Sequence, residues 1–139
     1  MNILTQYAEM VTQLESPGYT IEMAIKKDVA AARLLHAVLG CASEAGELTD
    51  QIKKHLVYGA PLDTVNVQEE LGDLLWYIQL ACNVMQIHLE DLLKQNMAKL
   101  KARFGDKFDF DRVLNRDLDR EREALEQNNP TQMTFESLR

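Results

Sequence analysis

The sequence predicts an all-α protein, and three observations carry that expectation. Apolar residues recur at helical spacing along most of the chain, while the two-residue alternation of a strand is negligible. Three Pro and six Gly are too few to punctuate a loop-rich β-sandwich. At 139 residues with 46% hydrophobic side chains, the chain can bury a core and falls in the range of one domain. Residues 1–104 are expected to form that domain. Residues 105–139, charged in character, are expected to belong to it or to dock on a neighbouring subunit.

The elements follow in order. Ile3, Leu4, Tyr7, Met10, Val11 and Leu14 define a first helix over residues 3–15, closed by Ser16, Pro17 and Gly18. A second and longer helix is expected from Asp28 to Tyr58. Its apolar stripe runs through Leu34, Leu35, Val38, Cys41, Ala42, Ala45, Leu48, Ile52 and Leu56. Gly59 suits its C-cap, and Pro61 prevents it from resuming. Asn66 fits an N-cap for the third helix, with Glu69 three residues on completing a capping box. That helix carries Leu74, Leu75, Ile78, Ala81, Cys82 and Met85 inward. A break at Gln86–His88 leads to a fourth helix, Leu89 to Phe104, stopped by Gly105. Residues 111–127 then read as one charged surface helix, and Asn128 to Arg139 as a tail.

Composition excludes several classes of function. With 15 Lys+Arg against 22 Asp+Glu the net charge is −7, which disfavours binding to polymeric nucleic acid. A phosphorylated small molecule stays compatible if a metal ion mediates. The two cysteines, Cys41 and Cys82, read as buried free thiols. The N-terminal residues lack the pattern of a signal peptide, and the uncharged run Leu74–Ile87 is too short to span a bilayer. A cytoplasmic protein without a membrane partner is therefore expected. No phosphate-cradling glycine loop, HExxH or EF-hand loop is present, and the paired ExxH motifs of a di-iron bundle are missing.

The chemistry concentrates in Ser43-Glu44-Ala45-Gly46-Glu47 and Glu69-Glu70-Leu71-Gly72-Asp73. Each holds a carboxylate pair at i,i+3, Glu44 with Glu47 and Glu70 with Asp73, so each pair shares a helix face. On a helical wheel Glu70 falls only about 70° from the centre of its apolar stripe, and Glu44 about 110°. These acids flank the core-facing side, where surface charges would stand opposite it. Antiparallel packing of the two helices could bring both pairs together. Four carboxylates at one place repel unless a cation compensates, and oxygen donors without His or Cys suit Mg²⁺, with Mn²⁺ as an alternative. Gly46 and Gly72 each cost a helix about 1 kcal/mol relative to Ala. Their position inside the acidic pairs predicts close approach of a backbone, a helix or a ligand.

The spacing ExxE, 22 residues, ExxD resembles the signature of the all-α nucleoside triphosphate pyrophosphohydrolases, which include MazG, dimeric dUTPases and dCTP pyrophosphatases. The stretches HAVLGCASEAGELTDQIKKHLVYGAPLD, VQEELGDLLWYIQLA and QNMAKLKARF resemble short stand-alone MazG-like proteins of phages and bacteria, over roughly residues 34–104. The resemblance implies a helical bundle of the MazG and dimeric dUTPase type, its four-helix core completed in a homodimer or homotetramer. It also implies Mg²⁺ held by Glu44, Glu47, Glu70 and Asp73, and hydrolysis of a nucleoside triphosphate to monophosphate and pyrophosphate. Either Glu44 or Glu47 would orient or deprotonate the attacking water. Among substrates, the resemblance leans to deoxynucleotides such as dGTP.

Further substrate contacts are expected on the same grounds. Lys54 shares the face of Glu47 and either holds a phosphate or pairs with Asp50. Tyr77, four residues after Asp73, resembles the family position that contacts the nucleotide, and Trp76 reads as core or subunit interface. Asn96, Lys99 and Arg103 fit an N-x-x-K-x-x-x-R pattern on the fourth helix. His36 could reach the base or sugar, or be a structural histidine. Two rival functions follow from the same residues. One is a non-catalytic helical regulator on this fold, which four intact acids oppose. The other is a phosphoribosyl-ATP pyrophosphohydrolase, which would ignore free triphosphates.

Overall fold

A computed structural model describes residues 2–14, 23 and 26–129, and among these all regular structure is helical. The helices are α1 (Ile3–Leu14), α2 (Val29–Tyr58), α3 (Thr64–Val84), α4 (Leu89–Phe104), α5 (Phe110–Leu114) and α6 (Leu118–Gln127). The expected stop at Ser16–Gly18 and the tail beyond Asn129 lie outside the described residues.

Local chemistry sets the ends of α2. The Asp28 carboxylate accepts from the Ala31 backbone N–H at 3.0 Å and so satisfies a donor that has no partner inside the helix. Gly59 closes the other end in the left-handed region, φ 69°, with its N–H donating to the Lys54 carbonyl. A side chain there would be strained, which is why the chain turns at this residue. His55 Nδ1 steadies the turn from 2.8 Å to the Ala60 carbonyl.

The start of α3 corrects the sequence reading. Its N-cap is Asp63, which accepts from the N–H groups of Val65 and Asn66, both at 3.1 Å. Asp63 comes earlier in the chain and is an equally good cap, so the helix begins three residues sooner. Asn66 becomes the third residue of the helix, and its side chain is released for other use. The break at residues 86–88 and the fourth helix occur where expected. Gln86 turns the chain with φ 54°, and Gly105 ends α4 with φ 69°.

The charged segment also departs from expectation. It forms two short helices, because the Asp117 carboxylate accepts from the Arg120 N–H and starts a new helix after the bend at Asn115. It is not wholly a surface segment either, since Glu121 is only 4% exposed. Arg103 of α4 and Arg116 converge on it, donating through Nη2 at 2.5 and 2.7 Å. This clasp joins α6 to α4.

The other packed pair is α2 with α3. They run antiparallel, since Gly40 meets Tyr77 while Glu44 and Glu47, further along α2, meet the earlier Glu70. The face that α2 turns to α3 carries buried Ala37 and Gly40. Much of the expected apolar stripe lies elsewhere: Val38, Ala42, Ala45, Ile52 and Leu56 are exposed, Leu56 by 73%. Leu71, Leu75 and Trp76 of α3 are exposed as well. The stripe is wider than one partner helix, and α3 covers only one edge of it. No helix among the described residues is long and apolar enough to cross a membrane.

Candidate metal centre

The antiparallel crossing sets Glu44 and Glu47 of α2 against Glu70 of α3. One carboxylate oxygen from each lies within 4.8 Å of the others. A spacing of three on α2 puts both of its acids on the face toward α3, and the crossing supplies the third. Asp73 stands apart from this trio, exposed and one turn further along α3.

Electrostatics mark Glu70 as the strained member. It is 5% exposed, and burial raises its pKa above the ordinary 4.5. The negative charge of Glu47 and the nearby Glu44 carboxyl push in the same direction, while Asn66 opposes them. Among the described residues no cationic side chain pairs with this trio. The Ser43 hydroxyl is placed to donate to Glu44 Oε1 at 3.1 Å or to the Gly40 carbonyl at 2.9 Å. Three crowded carboxylates, all hard oxygen donors with no His or Cys among them, fit a divalent cation of the Mg²⁺ or Mn²⁺ type.

About two helical turns from Glu70 along α3 lies an aromatic group. The Tyr77 ring sits edge-on to His36, centroids 5.7 Å apart, and to Trp76 at 4.9 Å. Gly40 admits it: a Cβ there would fall 2.2 Å from the Tyr77 ring, so no other residue fits. The close approach expected at Gly46 and Gly72 is not made among the described residues, where a Cβ at either would meet nothing within 4 Å.

The remaining residues divide. Lys54 pairs with Asp50 at 2.8 Å, and Lys53 binds the same carboxylate. The lysines hold Asp50 down to about 2, and Asp50 in turn raises Lys54. Arg103 is committed to Glu121. Among the described residues no hydrogen bond or ion pair joins Asn96, Lys99 or Arg103 to the acids on α2 and α3. Conversely, the structure adds two residues that sequence reading passed over. Asn66 donates from Nδ2 to Glu70 Oε1 at 3.1 Å and to Glu69 Oε2 at 3.3 Å. Its four-residue spacing from Glu70 was a visible signal, hidden by its suitability as a cap. Gly40 offered no comparable signal.

Fold and site together define an all-α protein with a carboxylate centre between two antiparallel helices. Comparison with known families makes this specific. The MazG nucleotide pyrophosphohydrolase domain matches residues 34–116, which span the acids and most of α2 through α5, and the chain belongs to that family. It is also similar to the Gene 37 protein of Mycobacterium phage L5, at 31% identity over 74 residues. That match covers 50% of this chain and 65% of the phage protein, just under two thirds of its length. No solved structure matches.

Proposed function

We propose that the protein hydrolyses nucleoside triphosphates to monophosphate and pyrophosphate at a Mg²⁺ centre on Glu44, Glu47 and Glu70, with deoxynucleotides such as dGTP favoured. Asp73, on the next turn of α3, completes the ligand set once a cation is bound. The observation that carries this reading is the convergence of Glu44, Glu47 and Glu70 at the crossing of α2 and α3, with Glu70 buried.

A divalent cation there supplies neutralisation of the triphosphate and acidification of water. The chain's own residues do the rest. Glu44, Glu47 and Glu70 present oxygens from two rigid helices, so the site is held in shape before substrate arrives. Glu44 or Glu47, whichever stays free of tight ligation, accepts the proton of the attacking water. His36 and Tyr77 lie about two turns from Glu44 and Glu70 along their helices and offer ring edges and faces to a base. Lys54 reaches phosphate on release from Asp50. Asn96 and Lys99 come to the site from the neighbouring subunit of a homodimer or homotetramer. The exposed Val38, Leu56, Leu75 and Trp76 support that assembly, since large apolar side chains left in solvent favour burial against a second copy.

Pyrophosphate release from a panel of ribo- and deoxynucleoside triphosphates with Mg²⁺ tests the reading. Release that disappears in Glu47→Gln is the expected result. No release from any nucleotide overturns it. Turnover of phosphoribosyl-ATP with free triphosphates ignored would move the substrate.

A further inference from the structure

Asn66 lies at the mouth of the acidic crossing and spends its amide unevenly. Its Nδ2 bridges Glu69 and Glu70, at 3.3 and 3.1 Å. The amide nitrogen thus faces both carboxyl groups. Its Oδ1 is buried and has no hydrogen-bond partner among the described residues. The amide is therefore committed to these two acids, and its buried carbonyl end has no competing partner.

We propose that Asn66 is a positioning residue of the carboxylate centre, locking Glu70 in its ligating orientation through Nδ2. This rests on the cation reading above and adds a residue to it. The physical need is plain. Glu70 faces the negative charges of Glu44 and Glu47 across the helix crossing, and repulsion favours its swinging away. Asn66, one turn earlier on the same helix, supplies the hydrogen bond that opposes this. Of the two acids it touches, Glu70 is the buried one and Glu69 is exposed, so the constraint falls on the ligand.

Titration calorimetry with Mn²⁺ alone, without nucleotide, tests this on wild type, Asn66→Ala and Glu70→Gln. Asn66→Ala is expected to raise the Mn²⁺ Kd about 10- to 100-fold, the usual effect of losing an outer-shell partner. Pyrophosphate release by that variant should recover toward wild type as Mn²⁺ is raised, which a folding defect would not do. Wild-type affinity in Asn66→Ala, with binding lost in Glu70→Gln, overturns the role of Asn66 and leaves the centre standing. Absence of Mn²⁺ binding in the wild type overturns both. Asn66→Leu fills the same space without an amide, so it must show the same rise in Kd if the alanine variant loses helix content by circular dichroism. An effect on nucleotide affinity alone, with Mn²⁺ binding unchanged, also overturns the proposal.

Discussion

The α2–α3 crossing and the α4–α6 clasp each bury one glutamate almost completely, and treat it in opposite ways. Glu121 is 4% exposed and meets two guanidiniums. Arg103, followed by Arg116, drives its carboxyl well below the ordinary range. Glu70 is 5% exposed and meets two further acids, and burial drives its carboxyl upward. A carboxylate buried for stability brings its counter-charge from within the chain. A carboxylate buried without one carries an uncompensated desolvation cost, which a cation at the proposed centre would offset. The contrast separates the ion-paired acid from the acids of the proposed metal centre more sharply than burial alone.

Substitution at the two sites should break this symmetry. Glu70→Gln is expected to lower metal-dependent pyrophosphate release by at least about 100-fold, more than loss of an outer-shell partner costs. The same change should leave the metal-free protein as stable as wild type or more so in a thermal melt, because it removes like-charge repulsion. Glu121→Gln should do the reverse, lowering the Tm by leaving two guanidiniums without their carboxylate while Mn²⁺ affinity stays at the wild-type value. A fall in Tm for both variants would show that the acids of the crossing are structural after all.

Acid titration sharpens the comparison. Because the Glu121 carboxyl is depressed below its ordinary 4.5, the stability it contributes is complete above that pH and drains away as pH falls further. Glu70 has the opposite sign: its carboxyl is raised, so its ionisation opposes folding at neutral pH and that penalty lifts on acidification. Melts of metal-free Glu121→Gln against pH should therefore lose part of the wild-type decline below pH 4.5. Those of Glu70→Gln should approach wild type as the medium is acidified.

Smaller effects follow from the surroundings. Gly40→Ala drives a Cβ into the Tyr77 ring and should cost about 1–3 kcal/mol, the usual range for overpacking. Its KM for nucleotide should rise while Mn²⁺ affinity holds, since Tyr77 lies about two turns along α3 from Glu70. Asp50→Asn should change the Tm least of all, because the pair with Lys54 is solvent-exposed. Freed from that pair, Lys54 should lower the KM if it meets phosphate; an unchanged KM would leave it as a surface cation.

Helical spacing, Gly59 after α2 and Gly105 after α4 made the helices and most of their limits legible in the sequence. Capping and periodicity act between residues close along the chain, and such effects survive translation into a string of letters. Glu44, Glu47 and Glu70 were legible for the same reason, as acids set near the apolar side of their helices. Asn66 was misplaced because Asp63 competed for the same cap, a contest that neighbouring residues alone did not settle.

What tertiary structure alone decided is which charges meet. Arg103, read as a substrate contact, is bound to a glutamate 18 residues away, and the segment read as a surface helix buries that glutamate. Nothing in local spacing reveals a partner across a fold. The crossing angle and register of α2 on α3 likewise chose Ala37 and Gly40, rather than the centre of the apolar stripe, as the buried seam. Sequence by itself determined the helices, their ends and the stock of acids. The packing of one helix on another determined that Glu70 is left facing like charges and Glu121 is not, because electrostatic pairing depends on distance through space.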